Sequence, residues 1–169
     1  MTTETEKKTC TKAEPQKEHE WLKKMVGEWT IEGECTMGPD QPAQKSHGKE
    51  TVRSLGDLWI VAEGEMTFEG DVGQTRMTLG FDPRKKKFVG TWVGSMMSNM
   101  WVYEGELDSA KKVLPLDTVG PDFVNVGKEL KYQDIIEIVN DDHRILRSQM
   151  QGEDGKWTPI MTAHYKRKK

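Results

Sequence analysis

Four histidines, a set of strand-borne carboxylates and one stretch crowded with tryptophan and methionine are the residues of this sequence suited to chemistry or ligand binding. An imidazole can ligate iron, bind a divalent metal or shuttle protons, and His164 is the sharpest such candidate. Met161, Ala163 and Tyr165 form the apolar face of its segment. Strand parity therefore turns His164 outward, toward a neighbouring strand's side chains, unless a bulge intervenes. His19, His47 and His143 fall on a helix flank, a strand start and a turn. Between Trp92 and Tyr103, the residues Met97, Asn99, Trp101 and Tyr103 share one parity and present apolar bodies with polar tips. That face suits a pocket that orients an amphipathic ligand, and it also suits an ordinary core. Met66, Met77, Phe81, Trp92 and Met161 complete the candidate ligand-lining set. Glu63, Glu65 and Glu104 alternate with apolar neighbours, which reads as a solvated outer face, and nothing pairs two of them for acid–base work. No nucleophile elbow, phosphate loop, dinucleotide fingerprint or zincin helix is present, so no catalytic residue is assigned.

The elements that must position these residues are mostly strands. One helix is expected from about Pro15 to Val26, with Pro15 at its first position and Gly27 at its exit. Trp21, Leu22, Met25 and Val26 lie on one side of it, so it must dock, across one end of whatever follows. Strands of period two then run through Trp29–Met37, Ile60–Phe68 and Thr75–Phe81. Others read from Lys87 to Val93, Met97 to Glu106, Val113 to Thr118, Leu130 to Val139, Arg144 to Gln151 and Trp157 to Arg167. Turn chemistry at Gly38-Pro39-Asp40, Gly56-Asp57, Asp82-Pro83, Asp108-Ser109, Asn140-Asp141-Asp142 and Glu153-Asp154-Gly155-Lys156 links them. Such short links leave no room for crossover helices, so the sheet is antiparallel. About ten strands in one small domain must hide their edges, and closing into a barrel does so. The longest irregular stretch, Val119 to Glu129, is expected to loop over the barrel mouth.

Composition agrees. At 169 residues the chain fits one domain, assigned to 15–167 with a disordered tail over 1–14. Only 34% of residues are hydrophobic and 31% are charged, the balance of a thin wall that is apolar on one face. The net charge of −3 disfavours nucleic acid. Neither Arg84-Lys85-Lys86-Lys87 nor Lys166-Arg167-Lys168-Lys169 has aromatics interleaved for base stacking. Cys10 and Cys35 lack metal or redox spacing; Cys35 has the parity of a buried free thiol. No apolar run reaches membrane-spanning length and no signal peptide is visible, so a cytoplasmic protein without a membrane partner is expected.

Several motifs together resemble a known family: His19-Glu20-Trp21-Leu22 through Gly27-Glu28-Trp29, Met77-Thr78-Leu79-Gly80-Phe81-Asp82-Pro83, Gly90-Thr91-Trp92-Val93-Gly94-Ser95-Met96-Met97, Gln151-Gly152-Glu153-Asp154-Gly155-Lys156-Trp157, and Met161-Thr162-Ala163-His164-Tyr165. The resemblance is to a mostly bacterial family, a conserved domain of unknown function grouped with the calycins. It implies a lipocalin-like barrel and brings no established activity. In such barrels the Gly-x-Trp indole packs across one end beneath an arginine of the last strand, which gives Gly27, Trp29 and Arg167 a structural role. A weaker resemblance is to nitrobindins, which hold haem through a histidine of the terminal strand. It implies haem at His164. The expectation is an all-β, antiparallel, calycin-like barrel that binds a small hydrophobic or amphipathic molecule inside. Its rivals are a haem protein, an enzyme with a polar site at the mouth, and an interaction module with a filled barrel.

Overall fold

The computed structural model describes residues 12–36 and 40–169. Most of the expected tail over 1–14, Cys10, Met37 and the Gly38-Pro39 part of the first turn lie outside them. Helix α1 spans Lys17–Leu22 and passes into a single 3₁₀ turn, Lys23–Met25. It is shorter than the expected Pro15–Val26. Pro15 precedes the cap residue Gln16, whose backbone N–H donates to His19 Nδ1 at 2.8 Å across the first turn.

Ten strands follow: β1 Gly27–Cys35, β2 Gln44–Leu55, β3 Trp59–Phe68, β4 Asp71–Asp82, β5 Lys87–Gly94, β6 Trp101–Gly105, β7 Val113–Pro121, β8 Glu129–Asn140, β9 His143–Gln151 and β10 Trp157–Arg167. Each pairs antiparallel with its sequence neighbours, and β1 pairs with β10 to close the barrel. Closure leaves no strand edge to template aggregation. Strand β2 is the element that alternation did not reveal. Its inward residues Ser46, Gly48 and Glu50 are not apolar, so only Val52 carries the signal. β6 starts at Trp101 rather than the expected Met97, and β7 continues through Val119–Pro121, residues expected in the loop.

Inward residues follow one parity. Cross-strand rows such as Ala62–Met77–Trp92–Trp101 and Leu116–Asp134–Ser148–Met161 climb around the barrel. At the helix end Trp29, Val52, Ile60, Leu79, Phe88 and Leu114 are each at most 2% exposed. Trp21 and Leu22 from α1 and Met25 from the 3₁₀ turn press onto them, each burial worth about 1.5–3 kcal/mol. The Trp21 indole N–H donates to Lys111 O at 2.8 Å, and the Trp29 indole N–H to Met25 O at 2.9 Å. Arg167 completes the cap. Its guanidinium donates to Val26 O at 2.7 Å, Lys24 O at 3.1 Å and Asp141 O at 2.8 Å, and lies 4.3 Å over the Trp29 ring. Gly27 makes this possible: its φ is +139°, and a Cβ there would stand 2.3 Å from Arg167 Nη1.

Candidate functional site

Opposite the helix the inner face of the barrel is only partly buried. Met66, Met77, Trp92, Leu146, Ser148, Met150 and Met161 all face inward, yet each keeps accessible surface. Methionine suits such a wall, because its unbranched thioether adapts to irregular contents. Trp101 closes one side. It packs edge-on to Tyr132 with centroids 4.9 Å apart, and its indole N–H meets Met97 Sδ at 3.1 Å. Gly120 lets it lie flat on β7, where a Cβ would come within 2.2 Å of the indole. The β6–β7 ladder is only Glu104↔Asp117 and Gly105↔Leu116, so the backbone pairing of this wall ends below Trp101.

Two polar groups of residues stand inside this apolar wall. In the first, Asp134 on β8 accepts from Tyr103 Oη at 2.5 Å on one oxygen and from Ser148 Oγ at 2.5 Å on the other. Asp134 is half-buried on the inner face of β8, in the row Leu116–Asp134–Ser148–Met161. Desolvation raises its pKa above the usual carboxylate value, against the two hydroxyl donors that lower it. Burial, then the Asp134 charge, drives the Tyr103 phenol well up. In the second group Arg144 reaches across the barrel to pair with Glu50. Its guanidinium lies 3.9 Å over Tyr165 and 4.8 Å over Trp29, so cation–π contact supplements the ion pair. Burial also raises the Tyr165 phenol. Thr118 Oγ1 and Asn99 Nδ2 are buried without hydrogen-bond partners among the described residues.

The candidate lining residues divide accordingly. Met66, Met77, Trp92, Met97, Asn99, Trp101, Tyr103 and Met161 lie on or beside the open half. Phe81 does not. It sits at the helix end, edge-on to Phe88 at 5.2 Å and to His19 at 5.8 Å, so it is a packing residue there. Asp134, Ser148, Glu50, Arg144, Thr118 and Met150 were not singled out from sequence. A signal existed: Asp134 interrupts the inward row Tyr132, Ile136, Ile138, and Glu50 shares the parity of Val52.

His164 stands exposed on the outer face. Its Nδ1 meets His143 Nε2 at 3.0 Å, and the rings stack with centroids 5.3 Å apart. Burial first, then the Lys166 charge, lowers the His143 pKa. His47 is also on the outside, and His19 bonds Phe81 O under the helix. No described imidazole reaches the open half of the barrel, so histidine ligation of haem inside it does not fit these residues. Glu63, Glu65 and Glu104 all have outer-face partners: Arg53 and Arg76, Lys49, and Lys85 and Lys87 respectively. Cys35 is half-buried, and burial pushes its thiol up.

The outside bears two depressions. One of about 780 Å³ lies between α1 and the Glu106–Lys111 turn, and one of about 670 Å³ spans β2 to β5. Charged side chains make up much of both walls, and neither contains Asp134.

A family model for a protein of unknown function, DUF1579, matches residues 14–167. The chain belongs to this family. No curated protein matches it. Among solved structures, the S-type phycobiliprotein lyase CPES from Guillardia theta is 14% identical with a TM-score of 0.62, over 92% of this chain and 99% of that one. Rv2717c from M. tuberculosis is 12% identical with a TM-score of 0.65, over 92% of this chain and all of that one. At these identities the likeness is one of fold, and it agrees with the calycin-like barrel.

Proposed function

We propose that this DUF1579 protein binds a small, largely apolar molecule with a polar end, held in the open half of its barrel. One observation carries this reading: inward-facing methionines and Trp92 retain accessible surface on the same inner face as a half-buried, hydrogen-bonded carboxylate. A filled barrel would have buried them. Burying the ligand's apolar surface there is worth about 25 cal/mol per Å² before ordering costs. Thr118 Oγ1 and Asn99 Nδ2 supply further polar atoms in need of partners. The loops around this end expose Phe123, Val124, Val126, Met96 and Met100, an apolar rim suited to passing such a molecule.

The test is titration with N-phenyl-1-naphthylamine, a dye that brightens in apolar sites. The expected result is saturation at one dye per chain, and much weaker binding to Ser148→Trp, whose indole would fill the chamber. Equal dye binding by that folded variant would count against the site.

A second reading has one observation in its favour, the raised pKa of a half-buried carboxylate beside a phenol, an arrangement suited to proton transfer. It predicts turnover of some bound molecule that Asp134→Asn abolishes while binding persists.

A further inference from the structure

Buried charges in proteins are normally paired or bound to metal, because leaving water is costly. Inside this barrel Arg144 and Glu50 neutralise each other. Asp134 has no such partner. Its two contacts are the hydroxyls of Tyr103 and Ser148, and no described cation forms an ion pair with it. Each carboxylate oxygen accepts from one hydroxyl, so neither contact uses a proton of the carboxyl group. A carboxylate has about four acceptor positions, of which these donors fill two. The interior therefore carries one uncompensated negative charge with acceptor capacity to spare. Tyr103 bonds it directly and Trp101 packs on Tyr132, two residues along β8; aromatic faces attract cations, and the thioethers of this inner face tolerate many shapes.

Resting on the ligand-binding reading above, we infer that the molecule held in this barrel is a lipophilic amine, its protonated nitrogen seated against Asp134 and its apolar part against the methionine-lined wall. The ammonium N–H groups fill the free acceptor positions and neutralise the buried charge. A carboxylic acid of the same length would bring a second negative charge to the same wall, and the site should reject it.

The experiment compares decylamine, decanol and decanoate as competitors for N-phenyl-1-naphthylamine at neutral pH, below their aggregation concentrations. Decylamine should bind on the order of tenfold more tightly than decanol, as a charge-assisted hydrogen bond is worth. Decanoate should bind more weakly than either. Asp134→Asn, nearly isosteric, should bring amine and alcohol to near equality. A second readout uses the wild-type protein as the pH is lowered. Alkylammonium stays protonated throughout, and the Tyr103 and Tyr165 phenols stay neutral. The amine's advantage should fade as Asp134 takes up a proton, while decanol binding holds.

Equal affinity for amine and alcohol, preference for decanoate, or an amine preference that survives Asp134→Asn would each overturn the inference while leaving the ligand chamber standing. Failure of the dye and all three competitors to bind would overturn both.

Discussion

Glu50→Gln should destabilise this protein far more than a surface charge deletion. The Arg144 side chain is 4% exposed and its Glu50 partner 11%, so the pair is almost wholly removed from water. Replacing Glu50 by glutamine leaves the guanidinium between Trp29 and Tyr165 with no counter-charge, and Arg144 Nε already lacks a hydrogen-bond partner. Breaking a buried pair from one side costs about 3–5 kcal/mol. For a chain of this length each kcal/mol moves Tm by about 2–4 °C, so the fall is roughly 6–20 °C. Removing both charges, as in Glu50→Gln with Arg144→Met, takes away the orphaned cation, and the thioether still packs on the two rings. The double variant should therefore be less unstable than the sum of the singles, with a coupling on the order of 2 kcal/mol. Urea unfolding followed by tryptophan fluorescence and circular dichroism measures all four proteins. A Glu50→Gln cost below about 1 kcal/mol, or strict additivity, would refute the claim that this pair is a buried unit.

Asp134 makes the opposite prediction. Its folded pKa is raised above the ordinary 3.8, so the folded state holds the proton more tightly than the unfolded chain. Stability is thus lost as pH rises through the window from the unfolded to the folded value, and the penalty is complete above it. Asp134→Asn should gain stability over wild type at neutral pH and lose that gain near pH 3, as paired urea curves would show. Gly27→Ala places a methyl against Arg167 at a φ of +139° and should cost about 1–3 kcal/mol; a neutral result in thermal melts would remove Arg167 as the pin of the helix cap. Burial raises all three phenols, Tyr103, Tyr132 and Tyr165, the second also through the Asp122 charge. Phenolate absorbance should stay low at pH 10 and rise only with alkaline unfolding, whereas a tyrosine ionising at its ordinary value would contradict their burial.

Alternation was legible wherever the inner face is apolar, as in β1, β3 and β4, and the Gly27-Glu28-Trp29 opening located the end that α1 caps. It failed where the inner face is glycine or polar, and β2, with Ser46, Gly48 and Glu50 inside, is the clear case. The same cause hid the candidate site. Asp134, Ser148, Glu50 and Arg144 look like surface residues by composition, and only strand pairing turns them inward together. Phe81 illustrates the converse. Its parity is inward, but parity does not give height along the barrel, and Phe81 falls at the capped end. The outward parity of His164 was readable; its stacking on His143 was not, because that depends on the β9–β10 register.

The most direct test of the central claim is native mass spectrometry of the protein purified gently from the cells that make it naturally, beside the Ser148→Trp variant. A binding protein of the kind described should carry one small molecule per chain, and the variant should fly without it. A clean apo mass for the wild type, or an adduct that survives in the folded variant, would contradict a ligand held in the open half of the barrel.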